Sequence, residues 1–298
     1  MAEDNQNRSS SDIRVTLLGT GAPPPVMDRF GPSTLVEAGG ETLLFDAGRG
    51  VLQRLSQLQK PLKEARNLFL THLHSDHLVG LPDFWLTGWL LGQPQVPLRV
   101  WGPMGTKTMM AHLDQAFGYD IRIRLYDDRP PPQGIVVLTE EVSEGKVYEH
   151  NGVKVTAFEV DHFPIQPAFG YRIDYAGRSV VLSGDTRFSE NLIRFAEGAD
   201  VLVHEVIAAN LQRASFASTP EWAEAIIAHH TTPEQAGEVF TRVHPKLAVY
   251  SHIVPVDATA KDLLPATRKT YSGPVEAGED LMVIDIGDTV TVHRSPKG

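Results

Sequence analysis

The 298-residue chain is long enough for one large α/β domain or two small ones, with a substantial buried core. It has no cysteine, which excludes disulfide scaffolds, thiolate metal sites and cysteine nucleophiles. A formal net charge of −10 argues against extended nucleic-acid binding as the main task, because proteins that grip polyphosphate gain affinity from clustered Lys and Arg.

In chain order, residues 1–12 are polar and read as a disordered tail, without the apolar stretch of a signal peptide. Residues 13–298 read as one domain. No apolar run reaches ~18 residues, so no membrane helix is expected. A cytoplasmic protein follows, or an exported one if the chain is a processed form. Hairpins are predicted at Gly39-Gly40, at Asn151-Gly152 and near Ala176-Gly177. Helices are predicted over about Met104–Ala116, over Pro220–Ala228 and over Pro233–Val243. The last has Thr232 as N-cap, Pro233 at its first position and Gln235 three residues after the cap.

Short apolar segments repeatedly run into a polar, metal-competent residue. The endpoints are Asp46, the His72 cluster, Asp161-His162, Asp185, His204-Glu205 and His252. Functional residues of α/β sheets collect at the carboxyl ends of strands. The endpoints fall into two halves, a weak sign of internal duplication.

The segment "NLFLTHLHSDH" carries the densest chemistry. In an extended segment, residues two apart point the same way, so His72 and His74 can reach one metal. Asp76 and His77 follow in a turn and suit a second metal nearby. His162, Asp185 and His252 are the natural residues to complete two coordination spheres. Imidazole and carboxylate without thiolate fit Zn²⁺, with Mn²⁺ or Fe as competitors. A carboxylate such as Asp185 can bridge two cations ~4 Å apart.

"THLHSDH", "DH" at 161–162, "SGDT" at 183–186 and "SH" at 251–252 resemble, in this order, the metallo-β-lactamase superfamily. "LLGTGAPPP", "FGYRI", "SGDTR", "VLVHE" and "HTTPEQA" resemble its RNase Z branch, with arylsulfatase-like and phosphodiesterase relatives. The resemblance implies a four-layer αββα sandwich, an α/β fold with a dimetal site at one rim. It implies two Zn²⁺ ions. His72, His74 and His162 would bind one, Asp76, His77 and His252 the other, and Asp185 would bridge. Asp76, Glu205 and His230 are expected to be catalytic. Glu205 and His230 match the family's His-Glu and His-Ser-Thr motifs and are expected to pair and assist the leaving group. His229 competes with His230 for that place; the match to "HTTPEQA" favours His230.

Two departures stand out. RNase Z enzymes grip tRNA with a long arm between "FGYRI" and "SGDT"; here Ile173 is followed by "DYAGRSVVL" and then Ser183, which leaves room for a tight hairpin only. The His-Glu-Ala-Thr motif reads "HEVI". The missing arm, the acidic charge and the aromatic-rich segment Leu81–Gln93 favour a small-molecule ester as the partner. The expected activity is hydrolysis of a small phosphodiester or related sulfate ester by a metal-bridging hydroxide. A tRNA 3′-end endonuclease is the alternative, and a lactone or carboxylic ester hydrolase a further one. Phe84, Trp85 and Trp89 belong either to a pocket for an aromatic leaving group or to the helix core. Arg29 and Arg187 are candidate anion clamps. The resemblance also makes a homodimer possible.

Overall fold

The computed structural model describes residues 12–215 and 219–294. The tail expected over 1–12 lies outside the described residues except for Asp12. The Asp12 N–H donates to the Ile286 carbonyl, and its carboxylate meets Arg178.

The chain begins a first sheet with β1 (Ile13–Gly19), β2 (Ser33–Ala38), β3 (Glu41–Phe45), β4 (Asn67–Phe69), β5 (Leu98–Gly102) and β6 (Val137–Glu141). It then builds a second sheet from β7 (Gly145–His150), β8 (Val153–His162), β9 (Ile165–Tyr175), β10 (Arg178–Leu182), β11 (Val201–Ile207), β12 (Leu247–Val254) and β13 (Val275–Ala277). It returns to the first sheet with β14 (Val283–Ile286) and β15 (Val290–His293), and β14 pairs with β1. The helices are α1 (Val51–Gln57), α2 (Leu81–Gly92), α3 (Thr106–Tyr126), α4 (Glu190–Ala196), α5 (Ala209–Ala214), α6 (Pro220–Ile227), α7 (Pro233–Val243) and α8 (Ala260–Thr267).

The period of two along the strands fixes the layers. Val36, Leu43 and Phe45 of the first sheet face Val201, Val203, Leu247 and Val249 of the second across a shared core. The residues between them face outward. Leu35 and Leu44 pack under Leu55, Trp85 and Trp89 of α1 and α2. Leu202, Ala248 and Tyr250 pack under Leu192, Val239, Phe240 and Leu263 of α4, α7 and α8. Both faces of both sheets are covered, which gives the αββα sandwich.

The three hairpins form where turn chemistry places them. Each turn has two residues at positive φ: Gly39 and Gly40, Asn151 and Gly152, Ala176 and Gly177. This is the left-handed pairing that matches strand twist. Helix α7 spans Pro233–Val243 with a reciprocal Thr232–Gln235 capping box, as the sequence predicts. Helix α3 runs ten residues beyond the predicted Ala116. Gly118 does not stop it, and Arg124 pairs with Asp120 and Asp128 one turn away on either side.

Strand ends of both sheets meet at one rim. The turn after β4 carries His72 to His77, and Asp185 follows β10. The β11–β12 ladder shifts register between His204 and Val206, so Glu205 lies opposite both Ser251 and His252. His252 takes a positive φ there, a bulge that aims it at the rim.

Candidate dimetal active site

The H-x-H pair and His162 converge. His72 Nε2 lies 3.0 Å from His74 Nδ1, which lies 3.3 Å from His162 Nε2. These separations are close to the ~3.3 Å edge of a tetrahedron built on ~2.0–2.1 Å bonds. Asp76, His77 and His252 form a second group, with His252 Nε2 3.3 Å from Asp76 Oδ2. Asp185 stands between the groups. Its Oδ1 is 3.4 Å from His77 Nε2, and its Oδ2 is 3.3 Å from His252 Nε2, 3.8 Å from His72 Nε2 and 3.9 Å from His162 Nε2.

This geometry fits a pair of cations. His77 Nε2 and Asp185 Oδ1 are buried and have no hydrogen-bond partner among the described residues. A buried, unpaired polar atom is costly, and a shared cation would satisfy both. Burial lowers the His72 pKa strongly and the His162 pKa to about 4, which keeps both imidazoles neutral with lone pairs free. Burial opposes ionisation of Asp185, but His252, His77 and His72 hold its carboxyl well below the usual range. Burial also lowers His77 and His252; the nearby carboxylates, Asp185 first, outweigh it, and His252 is raised to about 9. The second group therefore takes up protons unless another cation neutralises its carboxylates.

An outer layer aims the imidazoles. Asp46 Oδ2 accepts from His77 Nδ1 at 2.8 Å, and the Asp46 carboxylate is fixed by the Thr71 N–H and hydroxyl, each at 2.8 Å. The Thr71 hydroxyl also lies 3.0 Å from His72 Nδ1. His162 Nδ1 donates to the His229 carbonyl at 2.9 Å. In each case the outer contact turns the opposite ring nitrogen toward the centre. The sequence offers Asp46 only as a metal-competent strand end; Thr71 and the His229 carbonyl carry no sequence signal beyond lying beside a site histidine.

Glu205 and His230 meet, with Oε2 3.2 Å from His230 Nδ1. Glu205 Oε1 accepts from the Thr231 N–H at 2.8 Å. Burial and then the Asp185 charge push the Glu205 carboxyl well up, while burial lowers His230 to about 4. His230, not His229, is thus the partner of Glu205. The His229 ring is half-buried and stands edge-on to His162, 5.0 Å between centroids. His204 turns away; its Nδ1 donates to the Glu205 carbonyl and its ring packs on Phe240.

The aromatic residues after the metal loop are core. Phe84, Trp85 and Trp89 are buried, and the indole N–H groups donate to the Ile135 and Pro131 carbonyls. They line no pocket at the site. Arg29 donates to Thr20 and to the Gly278 carbonyl, fastening its own loop rather than an anion.

A profile described as Beta-lactamase superfamily domain matches residues 41–253. The ribonuclease Z of Mycolicibacterium gilvum is 40% identical over 284 residues, which cover 92% of this chain and 96% of that protein. The chain belongs to the ribonuclease Z family of the beta-lactamase superfamily. The ribonuclease Z of Mycobacterium avium is 38% identical over 92% of this chain and 98% of its own length. Two solved structures share the fold. Human tRNase Z, short form, aligns with a TM-score of 0.67 at 24% identity, over 92% of this chain and 99% of that one. The metallo-beta-lactamase fold protein YhfI from Bacillus subtilis aligns at 0.68 and 18% identity, over 91% and 98%.

Membership in this family of metal-dependent hydrolases overturns the expectation of a small phosphodiester or sulfate ester as substrate. That expectation rested on whole-chain charge, on the missing arm and on an aromatic pocket. Net charge sums the entire surface and says little about one face, and the aromatic residues are core. The tight hairpin is real, with the turn at Ala176-Gly177 joining β9 directly to β10. It leaves no room for an arm at that place. Among the described residues, no helix is long and apolar enough to cross a membrane.

Proposed function

We propose that this chain is an endonuclease that removes the 3′ trailer of precursor tRNA. The observation that carries this reading is similarity at 40% identity, over 92% of this chain, to a ribonuclease Z. In this reading His72, His74 and His162 would hold one metal ion and Asp76, His77 and His252 a second, with Asp185 placed between the two sets. A donor set of imidazole and carboxylate favours Zn²⁺. Bound there, a metal pair supplies an activated water and neutralises charge on the phosphate.

The residues around the pair orient and deliver protons. Glu205 Oε2 faces His230 Nδ1 at 3.2 Å, so the two groups share one proton, which in this reading rests on Oε2. With Nδ1 accepting, the ring carries its hydrogen on Nε2. A proton given from Nε2 to the departing oxygen is replaced at Nδ1 from Oε2, so the pair acts as general acid without building a net charge in a buried place. The Thr231 and Thr186 N–H groups on Oε1 keep the carboxyl in position throughout.

Asp46→Asn tests the outer layer. It keeps the shape but weakens the acceptor for His77 Nδ1, and is expected to lower zinc affinity 10- to 100-fold in a chelator competition. An unchanged affinity would remove Asp46 from the site.

A gel shift at low salt tests the substrate. Precursor tRNA with a 3′ trailer is expected to form a complex that dissolves as salt rises. Absence of any complex would count against an RNA substrate.

A further inference from the structure

Phe163 follows His162 directly, at the tight turn between β8 and β9, and its side chain is 56% exposed. A phenylalanine held largely in solvent forgoes the gain of burial, and this one does so beside a candidate reactive centre. The turn is fastened. The Phe163 N–H donates to Asp161 Oδ1 at 3.2 Å, and its carbonyl accepts from Arg187 Nη2 at 2.9 Å. Arg187 is fixed in turn, its N–H donating to the Asp161 carbonyl and Nη1 lying 3.6 Å from Asp161 Oδ2. Its guanidinium carbon stands 6.0 Å from the Phe163 ring centre. Both residues are tied to the site through the chain: Phe163 is next to His162, and Arg187 lies two residues after Asp185.

From this juxtaposition we infer that Phe163 and Arg187 form a stacking platform for an unpaired nucleotide flanking the scissile phosphate. The inference rests on the RNA-cleaving reading above. An exposed aromatic face beside a guanidinium offers stacking to a base and a charge to the adjoining phosphate. Bases of a duplex stem are already stacked and paired, so only an unpaired nucleotide can use the ring. With no arm between β9 and β10, such a contact would align the cleavage point close to the metal-binding residues themselves.

The test uses zinc-loaded protein and precursor tRNAs with a 3′ trailer. One substrate is intact; two others carry an abasic residue on either side of the scissile bond. Wild type is expected to show a KM about tenfold lower for the intact substrate than for one of the abasic pair. Phe163→Ala should raise KM for the intact substrate about tenfold, to the abasic level, with kcat within twofold, and Phe163→Trp should restore it. Equal effects of Phe163→Ala on intact and abasic substrates would overturn the platform. So would a wild type indifferent to the missing base. If wild type turns over bis(p-nitrophenyl) phosphate but no precursor, the RNA reading itself falls, and the platform with it.

Discussion

Asp185→Ala is expected to lower kcat/KM for precursor tRNA by at least about 1,000-fold, a loss of ~4 kcal/mol of transition-state stabilisation. Asp185 is the group that touches both histidine sets, reaching His77 through Oδ1 and His252, His72 and His162 through Oδ2. Removing it leaves each set with three donors and no link between them. Bound zinc, measured by elemental analysis, should fall below two ions per chain. Asp185→Asn guards against a folding defect, since it keeps the shape and removes the charge; it should reproduce the loss of activity with the melting temperature of zinc-free wild type. Full activity in Asp185→Asn would contradict the assignment.

Glu205→Gln is expected to lower kcat about 100- to 10,000-fold, the usual span for a positioned proton donor, with KM and zinc content unchanged. The amide oxygen can still accept from the Thr231 N–H, so the backbone there stays in place. The amide has no proton to pass to His230 Nδ1. A kcat within threefold of wild type would show that the pair does not handle the leaving oxygen. A loss of zinc instead would make Glu205 a support for the metal-binding residues.

Much of this architecture is legible in the sequence because its causes are local. Two-residue turns need left-handed conformations, and the Gly39-Gly40 and Asn151-Gly152 pairs announce them. The Thr232–Gln235 capping box lies within four residues and fixes α7 correctly. His74 is extended ahead of the short helical turn at Ser75–His77, the local conformation on which the H-x-H reading depends.

Long-range causes are hidden. The contact of Asp46 with His77 spans 31 positions, and the bulge that sets Glu205 against His252 depends on how β11 pairs with β12. Of His229 and His230, only His230 lies within hydrogen-bond reach of Glu205, a contact that adjacency in sequence does not reveal. The aromatic residues of α2 show the converse. Phe84, Trp85 and Trp89 follow the metal loop in sequence, but helical periodicity turns them onto the first sheet, away from the site. Substrate size was misread for a related reason. A charge of −10 is a property of the whole chain, whereas recognition depends on the few groups at the rim.

The most direct test of the account is cleavage of a precursor tRNA by zinc-loaded protein, with the cut mapped at single-nucleotide resolution. The account predicts one endonucleolytic cut at the junction of the acceptor stem and the 3′ trailer, abolished by a chelator and restored by zinc. Protein that holds two zinc ions per chain, yet leaves the precursor intact or degrades it from its end, would contradict it.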